Sequence, residues 1–396
     1  MRILVLTTVF PNVRQPEFGR FVRERVRRVA ASAEVQVVAP VPWFPGNRVF
    51  RPRWTGVPAV ETQHGLTVHH PRILSVPGVA KALDGVLYAA SLAPFLRRLR
   101  TRFAFDVIDA HFAYPDGLAA VLLGRLFGRP VTVTLRGTIV PLSRYRARRP
   151  QIAAALRAAA RVIAVSESLR TVAVGLGIDG AHVSVIPNGV DLDAFQPRSR
   201  AAARQALGLP LDRTVILSVG SLAPRKGHER VLDAVAPLVA ARPDLLYVVV
   251  GGPGPEGDTG PALRRRAALR GIDANVVLAG ARPHAEIPTW LNAADLFCLA
   301  TSNEGRANVL LEAQASGVPV VTTDVGGSAE IVRDGHTGFL VPPGDAPALA
   351  AALARALGMS WDAAAIAADA QRWSWSATTD AVHHELAGVV GAGAAR

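Results

Sequence analysis

The sequence predicts an α/β protein made of two domains, each with a parallel β-sheet that helices cover on both faces. Short apolar segments alternate with segments of helical spacing along both halves of the chain. Such alternation favours parallel sheets with helical crossovers. The chain has 396 residues, of which 50% are hydrophobic. At roughly 150 residues per domain, this length allows two cores of ordinary size.

The first half begins with an apolar strand over residues 3–8, followed by a segment of helical spacing over 18–31. Another helix is predicted over 116–127, and Ser166 is typical of a helix start. The remaining strands of this half are predicted over 35–41, 107–110, 131–135 and 162–165.

The second half repeats this pattern, with a segment rich in turn-forming residues, 187–212, before it. We interpret that segment as an interdomain linker. Strands are predicted over 215–219, 245–250, 276–279, 295–299 and 318–322. Parallel sheets of this kind bind ligands at the carboxyl ends of their strands, so the polar loops there are candidate sites.

The most informative loop, residues 302–312, lies between the last two of these strands. It places Glu304 just before a predicted helix and Glu312 about two turns into it. A helix N-terminus offers free N–H groups and a positive dipole end, which suit a phosphate. Carboxylates accept hydrogen bonds from sugar hydroxyls, as an acidic residue does for ribose in dinucleotide folds. The loop therefore predicts a site for a nucleotide diphosphate sugar.

The spacing of these two glutamates resembles the E-x7-E signature of the retaining glycosyltransferases of family four. Three further segments are similar to family segments and stand in family order: IPNGVD at 186–191, VGSLAPRKG at 219–227 and GHTGFLV at 335–341. Four ordered motifs are far more specific than one. The resemblance covers about residues 185–345, and the first half matches more loosely through 2–10, Gly19 and 109–111.

The resemblance implies the GT-B fold, in which two Rossmann-like domains face each other across a cleft. We expect an acceptor-side domain over 1–190, a linker over 191–212 and a nucleotide-sugar domain over 213–370. The segment 371–396 is expected to pack back on the first domain.

The same resemblance implies roles for individual residues. Catalytic roles are expected for Glu304, Lys226, Arg225 and His111; donor binding for Glu312, Gly305, Asn308, Val309, Gly220, Ser221, Gly252 and Arg282; and acceptor-side positions for Gly19 and Arg136. No metal or other cofactor is expected besides the donor. The family usually has arginine where this chain has Ser221, so one diphosphate contact differs.

The residues themselves support some of these roles and leave alternatives open. Arg225 and Lys226 follow a strand, where cations can neutralise a departing diphosphate. The alternative is that they are two solvated loop residues without a ligand. His111 ends a strand and can hydrogen-bond a hydroxyl, or be satisfied by the backbone. Gly19 permits a close backbone approach or simply a helix start. Glu304 and Glu312 also fit, less well, a hydrolytic carboxylate pair.

Two motifs point weakly elsewhere. The glycines at 252, 254 and 257 fit G-x-G-x-x-G, but they do not follow a first strand, which disfavours dinucleotide binding. Asp191-Leu-Asp193 mimics a metal motif, yet turn chemistry explains it, and the ten histidines show no ligand spacing.

Charge is distributed unevenly along the chain. Residues 1–200 carry 28 Arg+Lys and 12 Asp+Glu, a balance of +16, and the rest carries 16 and 19, a balance of −3, which together give the net +13. An anionic partner for the first half is one explanation and a solvated basic face is another. The basic stretches 20–28 and 144–149 suit an anionic membrane surface. Aromatic residues there are too sparse for nucleic-acid stacking.

Composition limits the cellular context. There is no apolar run of 18 residues, and residues 1–9 are better explained as a strand than as a signal peptide. The only cysteine, Cys298, rules out an intrachain disulfide. We expect a cytoplasmic protein that docks on the inner face of the membrane.

The sequence thus predicts a hexosyl-type glycosyltransferase that is retaining and metal-independent. It is expected to move a sugar from a UDP- or GDP-linked donor to a glycan or lipid-linked acceptor, in cell-envelope or exopolysaccharide synthesis. The alternatives are a catalytically silent GT-B scaffold, which the departure at Ser221 favours, and a basic nucleic-acid-binding protein.

Overall fold

The computed structural model describes residues 1–50, 54–75, 78, 81–254 and 256–394. The chain forms two compact units. The first contains residues 1–188 and 375–396, and the second contains residues 189–374.

The strands and helices are numbered in chain order. The strands are β1 (Arg2–Leu6), β2 (Glu34–Val38), β3 (Val41–Trp43), β4 (Val60–Gln63), β5 (Leu66–His69), β6 (Arg72–Leu74), β7 (Val107–His111), β8 (Val131–Leu135), β9 (Arg161–Ala164), β10 (Val183–Val185), β11 (Thr214–Val219), β12 (Leu245–Val250), β13 (Val276–Gly280), β14 (Leu296–Leu299), β15 (Val320–Thr323) and β16 (Gly338–Val341). The helices are α1 (Arg20–Val29), α2 (Asn47–Phe50), α3 (Asp84–Arg100), α4 (Leu118–Phe127), α5 (Ile139–Leu142), α6 (Arg149–Ala158), α7 (Glu167–Val174), α8 (Arg200–Leu207), α9 (His228–Ala241), α10 (Gly260–Leu269), α11 (Ile287–Ala293), α12 (Asn308–Ala315), α13 (Ser328–Ile331), α14 (Ala346–Gly358), α15 (Ala363–Ala370) and α16 (Trp375–Ala394).

The main sheet of the first unit has, within the described residues, the strand order β10-β9-β8-β7-β1-β2-β5-β4. Its neighbouring strands run parallel except β4, which is antiparallel to β5. Every residue of β7 and β8 is buried, as expected for parallel strands with helices on both faces. The order reverses at β1, which lies between β7 and β2.

The sheet of the second unit has the order β13-β12-β11-β14-β15-β16, and all its pairs are parallel. Numbered from its own first strand this is 3-2-1-4-5-6, the order of a doubly wound nucleotide-binding fold. Alternate residues of β11 serve opposite faces: Val215 and Leu217 pack in one core cluster and Ile216 in another. The parallel α/β prediction is confirmed for both units.

Several element predictions differ from the structure. The predicted strand 35–41 is divided into β2 and β3, which belong to different sheets. Strands β4 to β6, β10 and β16 were not predicted, because such short strands carry little periodicity. Helices α3 and α6 were not predicted either. Glu312 lies in the second turn of α12, closer to its start than predicted.

The segment expected to be a linker, 191–212, lies in the second unit and contains α8. Ser199 caps this helix, since its hydroxyl accepts a hydrogen bond from the Ala202 N–H. Gly208 ends it in the left-handed conformation with a φ of 66°. The turn-forming residues of the segment therefore include helix-capping signals.

The last helix, α16, belongs to the first unit and packs against α1. Its Glu385 accepts hydrogen bonds from Arg161 Nε at 2.7 Å and from Ser184 Oγ at 2.5 Å. The chain passes from the second unit into this helix between Ser374 and Trp375.

Among the described residues, no single helix has both the length and the apolar character to cross a membrane. One bent pair, Ala346–Gly358 with Ala363–Trp373, meets the length and composition criteria only when taken together, at an angle of 119°. Leu349, Leu353 and Ala356 of the first helix are buried in the core of the second unit.

Candidate functional site

A cluster of charged residues lies at the carboxyl edge of the second unit's sheet. Arg225 and Lys226 follow β11, and Glu304 follows β14. These two strands are neighbours, and the strand order reverses between them. A crevice outside the carboxyl ends at such a reversal is where doubly wound sheets bind ligands.

Glu304 holds both cations through one oxygen. Its Oε1 lies 2.5 Å from Lys226 Nζ and 2.8 Å from Arg225 Nη1. Arg225 also donates from Nε to both carboxylate oxygens of Glu256, each at 2.8 Å. The side chains of Lys226 and Glu304 are 15% and 14% exposed, so they remain accessible from solvent.

The backbone fixes the two loops against each other. The carbonyl of Arg225 accepts hydrogen bonds from Ser302 N at 2.8 Å and from Thr301 Oγ1 at 3.0 Å. Gly227 has a φ of 75°, and a Cβ there would lie 1.9 Å from the carbonyl oxygen of Ala300. Only glycine therefore permits this approach between the start of α9 and the end of β14.

Two pKa shifts describe the electrostatics of this loop. Burial alone would lower the pKa of Arg225, but Glu304 and Glu256 together raise it. Burial lowers the pKa of His228 to about 4. His228 is therefore neutral at pH 7, and its Nε2 donates to the Ser221 carbonyl oxygen at 3.1 Å. Arg225 stays charged while this histidine positions the backbone.

The glycine motif 252–257 packs onto the loop that contains Gly220 and Ser221. Leu222 N donates to the Gly252 carbonyl oxygen at 2.8 Å, and a Cβ at Gly251 would lie 1.8 Å from the Gly220 carbonyl oxygen. The following helix, α10, begins only at Gly260. These glycines thus support the loop after β11 and do not open a helix.

Helix α12 begins at Asn308, four residues after Glu304 of the cluster. Its N-cap residue, Ala307, makes no side-chain capping hydrogen bond. Val309 in its first turn is partly buried against the core. The loop before α12 contacts the loop that follows β15. Gly327 N donates to the Gly305 carbonyl oxygen at 3.0 Å. Gly326 passes so close to Glu304 that a Cβ at Gly326 would lie 2.0 Å from the Glu304 carbonyl oxygen.

Glu312 lies on the same helix but does not join the cations. Its Oε1 lies 3.0 Å from His284 Nε2, and the His284 ring packs edge-on against Phe195 at 5.3 Å between centroids. Arg282, close in sequence, donates from Nε to the Ala279 carbonyl oxygen at 3.1 Å and lies 5.7 Å from the Trp290 ring centroid.

In the first unit, His111 and Arg136 lie inside the protein. His111 is completely buried, and Arg136 is 5% exposed. His111 Nδ1 accepts from Arg136 Nη2 at 3.2 Å, and Nε2 lies 3.4 Å from Asp109 Oδ2. Burial lowers the pKa of His111 to about 4, so it is neutral with its proton on Nε2. Nε2 has no hydrogen-bond partner among the described residues, and the expected contact of His111 with the donor sugar stays a prediction.

Gly19 lies at the start of α1 with a φ of 75°. A Cβ at this position would lie 2.5 Å from the Val9 carbonyl oxygen. Glycine is therefore required where the loop after β1 meets α1.

Sequence reasoning missed Glu256, His284 and Gly326. Glu256 is nearly fifty residues before Glu304 and meets it only through Arg225. His284 has no motif of its own. A signal that could have found Gly326 is the Gly-Gly pair 326–327, which follows the predicted strand 318–322 after three residues and marks a turn.

Comparison with known proteins decides the family. Residues 199–373 match the family described as "Glycosyl transferases group 1", and residues 68–194 match "Glycosyltransferase Family 4". TuaC of Bacillus subtilis (strain 168), a glycosyltransferase assigned to teichuronic acid biosynthesis, is 31% identical over 366 residues, covering 90% of this chain and 89% of that protein. The chain belongs to the family-four-like glycosyltransferases. The D-inositol 3-phosphate glycosyltransferase of Thermobispora bispora is 34% identical to it over 347 residues, covering 81% of this glycosyltransferase and 80% of that relative.

Solved structures show the same fold for this glycosyltransferase. The sucrose-phosphate synthase of Thermosynechococcus elongatus superposes with a TM-score of 0.80 at 21% identity, covering 99% of each chain. The Anabaena protein Alr3699/HepE, solved in complex with UDP, superposes with a TM-score of 0.74 at 22% identity, covering 98% and 100%. These neighbours are GT-B glycosyltransferases, which confirms the predicted fold class.

Proposed function

We propose that this glycosyltransferase moves a sugar from a UDP- or GDP-linked donor to a glycan or lipid-linked acceptor, with retention and without a bound metal. The observation that carries the proposal is the sharing of Glu304 Oε1 by Lys226 and Arg225 at the reversal point of the second unit's sheet. Two cations on Glu304, which lies in the loop before α12, suit a diphosphate. The Anabaena protein solved with UDP and with UDP-glucose supports a UDP-linked donor.

The cations supply the chemistry of the leaving group. As the bond between sugar and diphosphate breaks, negative charge develops on the diphosphate, and cations already in position stabilise it without reorganising. Such a leaving group needs no separate acid. A bound diphosphate would take the place that Glu256 occupies on Arg225, since both are anions with paired oxygens.

Glu304 then has a second role. With the diphosphate on the cations, its carboxylate can accept hydrogen bonds from hydroxyls of the donor sugar. The Glu304 carboxylate contacts both cations and is also reached by solvent, since the Glu304 side chain is 14% exposed. Retention and metal independence rest on resemblance to family four. Among the described residues, no group of three metal-ligating side chains is present. Metal independence is tested with the chelator in the experiment below.

The deciding experiment is a thermal-shift and calorimetric panel of UDP, GDP and ADP with their sugars, each with and without a chelator. Stabilisation by one nucleotide that the chelator does not change is expected and identifies the base. A ligand at 100 times its Kd stabilises the folded state by about 2.7 kcal/mol, which such a panel resolves. Loss of binding with chelator would contradict metal independence. No response to any nucleotide would favour the scaffold or the nucleic-acid alternative.

We also propose that the loop 144–149 docks on an anionic membrane at the inner face. Arg144, Arg146 and Arg149 are exposed there, and Tyr145 is 57% exposed. The Arg148 guanidinium stacks on the Tyr145 ring at 4.6 Å. Each base near such a surface adds about 1 kcal/mol.

Helix α1, the other basic stretch, is a weaker candidate. Glu24 accepts from Arg23, Arg27 and Arg28 at 3.4, 2.9 and 2.8 Å. Burial alone would raise the pKa of Glu24, but Arg28 and Arg27 lower it to about 2. Arg28 also stacks on Trp375 at 4.6 Å, so this helix packs within the unit.

Vesicle sedimentation tests the loop. Arg146→Glu with Arg148→Glu should reduce binding to vesicles that contain phosphatidylglycerol. The matched control is Arg97→Glu with Arg98→Glu, an exposed pair in the last turn of α3 in the same unit. An equal loss in both double variants would show a general charge effect and contradict docking through the loop.

A further inference from the structure

A cavity of about 240 Å³ opens in the first unit, whereas the charged cluster described above belongs to the second unit. Thr8 on its wall follows β1, and Pro115 follows β7. The strand order of this sheet reverses at β1, so the cavity lies at a reversal point, outside the carboxyl ends of the strands. That is where open α/β sheets bind their ligands.

One wall of the cavity is polar, with its charge balanced. Asp84, the first residue of α3, accepts from Lys81 Nζ at 3.1 Å and from Ser75 Oγ at 3.4 Å. Lys81 Nζ also donates to Ser75 Oγ at 3.2 Å. The Asp84 side chain is 17% exposed, so its carboxylate has room to accept from a ligand as well. Because Lys81 compensates its charge, this wall favours a neutral ligand with hydroxyl groups.

Thr8 extends the polar wall and is held rigidly. Its N–H donates to Asp116 Oδ1 at 2.5 Å, and its hydroxyl donates to Asp116 Oδ2 at 3.0 Å. Asp116 is completely buried. The hydroxyl proton of Thr8 is therefore committed to Asp116, and its oxygen is left to accept a hydrogen bond from the cavity.

Other lining residues are apolar. Trp54 and Ile73 line the cavity and are 8% and 4% exposed, and Pro42 lines it as well. The ring of Phe18 meets Trp54 edge-on at 5.7 Å between centroids, which fixes the indole orientation. A cavity that combines an aromatic ring with several hydrogen-bond acceptors suits a sugar ring, which has C–H groups on its faces and hydroxyls on its edge.

We propose that this cavity binds one neutral sugar ring of the acceptor, with Asp84, Ser75 and Thr8 accepting from its hydroxyls and Trp54 packing on its face. The assignment of the ring to the acceptor rests on the proposed function. At about 240 Å³ the cavity lies just below the roughly 300–1,000 Å³ of typical small-molecule pockets, which suits a single ring. Few polar groups placed in a largely apolar pocket then set which hydroxyls are accepted.

The test is saturation-transfer-difference NMR with the methyl glycosides of glucose, galactose, mannose and N-acetylglucosamine, in the presence of saturating UDP. At least one glycoside should give a signal with the wild-type chain. Asp84→Asn and Ser75→Ala should each reduce that signal at least fivefold, and Trp54→Ala should abolish it. Glu167→Gln is the matched control, because it also removes a first-turn acid and its ion pair, with Arg170, from a helix of the same unit.

The outcomes separate this proposal from the proposed function. No glycoside signal with wild type, or a signal that Asp84→Asn and Ser75→Ala leave unchanged, overturns the cavity assignment, and UDP binding in the same samples would leave the donor function intact. Signals that depend on Asp84 and Ser75 support the cavity even if no nucleotide binds. If Trp54→Ala fails to fold, the other two variants decide, since Asp84→Asn keeps the size of the side chain and Ser75→Ala removes only one oxygen atom.

Discussion

Replacing Lys226 by alanine is expected to weaken nucleotide diphosphate binding by roughly 10- to 100-fold. A hydrogen bond to a charged group contributes about 1.5–3 kcal/mol, and each 1.4 kcal/mol is a factor of ten in Kd. The lower part of this range is the better expectation, because Lys226 is already paired with Glu304 at 2.5 Å and a diphosphate must share it. Arg225 remains in place and retains part of the affinity.

Isothermal titration calorimetry with the nucleotide identified by the panel measures this change. Lys81→Ala is the matched control: Lys81 is the only other lysine of the chain, is also paired with a carboxylate, at 3.1 Å, and lies in the first unit. Its removal should leave nucleotide affinity unchanged. Lys226→Arg should restore part of the binding, since it keeps the charge.

An unchanged Kd in Lys226→Ala would refute the reasoning, because the diphosphate would then lie elsewhere. An equal loss in Lys81→Ala would also refute it, since the effect would then reflect total charge and not the position of one cation.

Three further predictions concern carboxylates. Glu304→Ala should lower kcat by at least 100-fold because the donor sugar loses its acceptor of hydrogen bonds, and near wild-type turnover would exclude that role. Glu256→Gln should tighten nucleotide binding several-fold, since Arg225 loses the anion that competes with the diphosphate; weaker binding in calorimetry would contradict the competition. Burial raises the pKa of Asp116 from 3.8 to about 7, so its contribution to stability is full below about pH 4 and is lost as pH rises through 7. Since each pKa unit corresponds to about 1.36 kcal/mol, the unfolding free energy of the wild type should fall by about 4 kcal/mol between pH 4 and pH 8 relative to that of Asp116→Asn. Denaturant titrations that give the same difference between the two proteins at both pH values would rule this out.

The sequence was sufficient for the long regular elements. β12 is a continuous apolar run, and β8 and β11 combine Val, Ile and Leu with a few Thr or Ser. These strands are largely buried on both faces, and that burial is visible as composition. The short strands β4 to β6 were missed because three or four residues carry too little periodicity.

The charged cluster was predicted only in its parts. Arg225, Lys226 and Glu304 each follow a strand, and carboxyl ends of parallel strands share one edge of a sheet. Whether the two loops touch depends on β11 and β14 being neighbours, which is a long-range pairing across some eighty residues. Only the family resemblance suggested it in advance.

By itself the sequence determined the alternation of strands and helices, the positions of the polar loops and the sign of the charges in them, because these depend on local composition. The tertiary structure alone decided that Glu256 holds Arg225, that Glu312 pairs with His284 and that His111 is enclosed by Asp109 and Arg136. The contacts of Glu256, His284 and Arg136 join different strands or loops, whereas Asp109 and His111 lie two residues apart on β7. Strand order and packing bring the groups of different elements together, and neither is encoded in the spacing of residues along the chain.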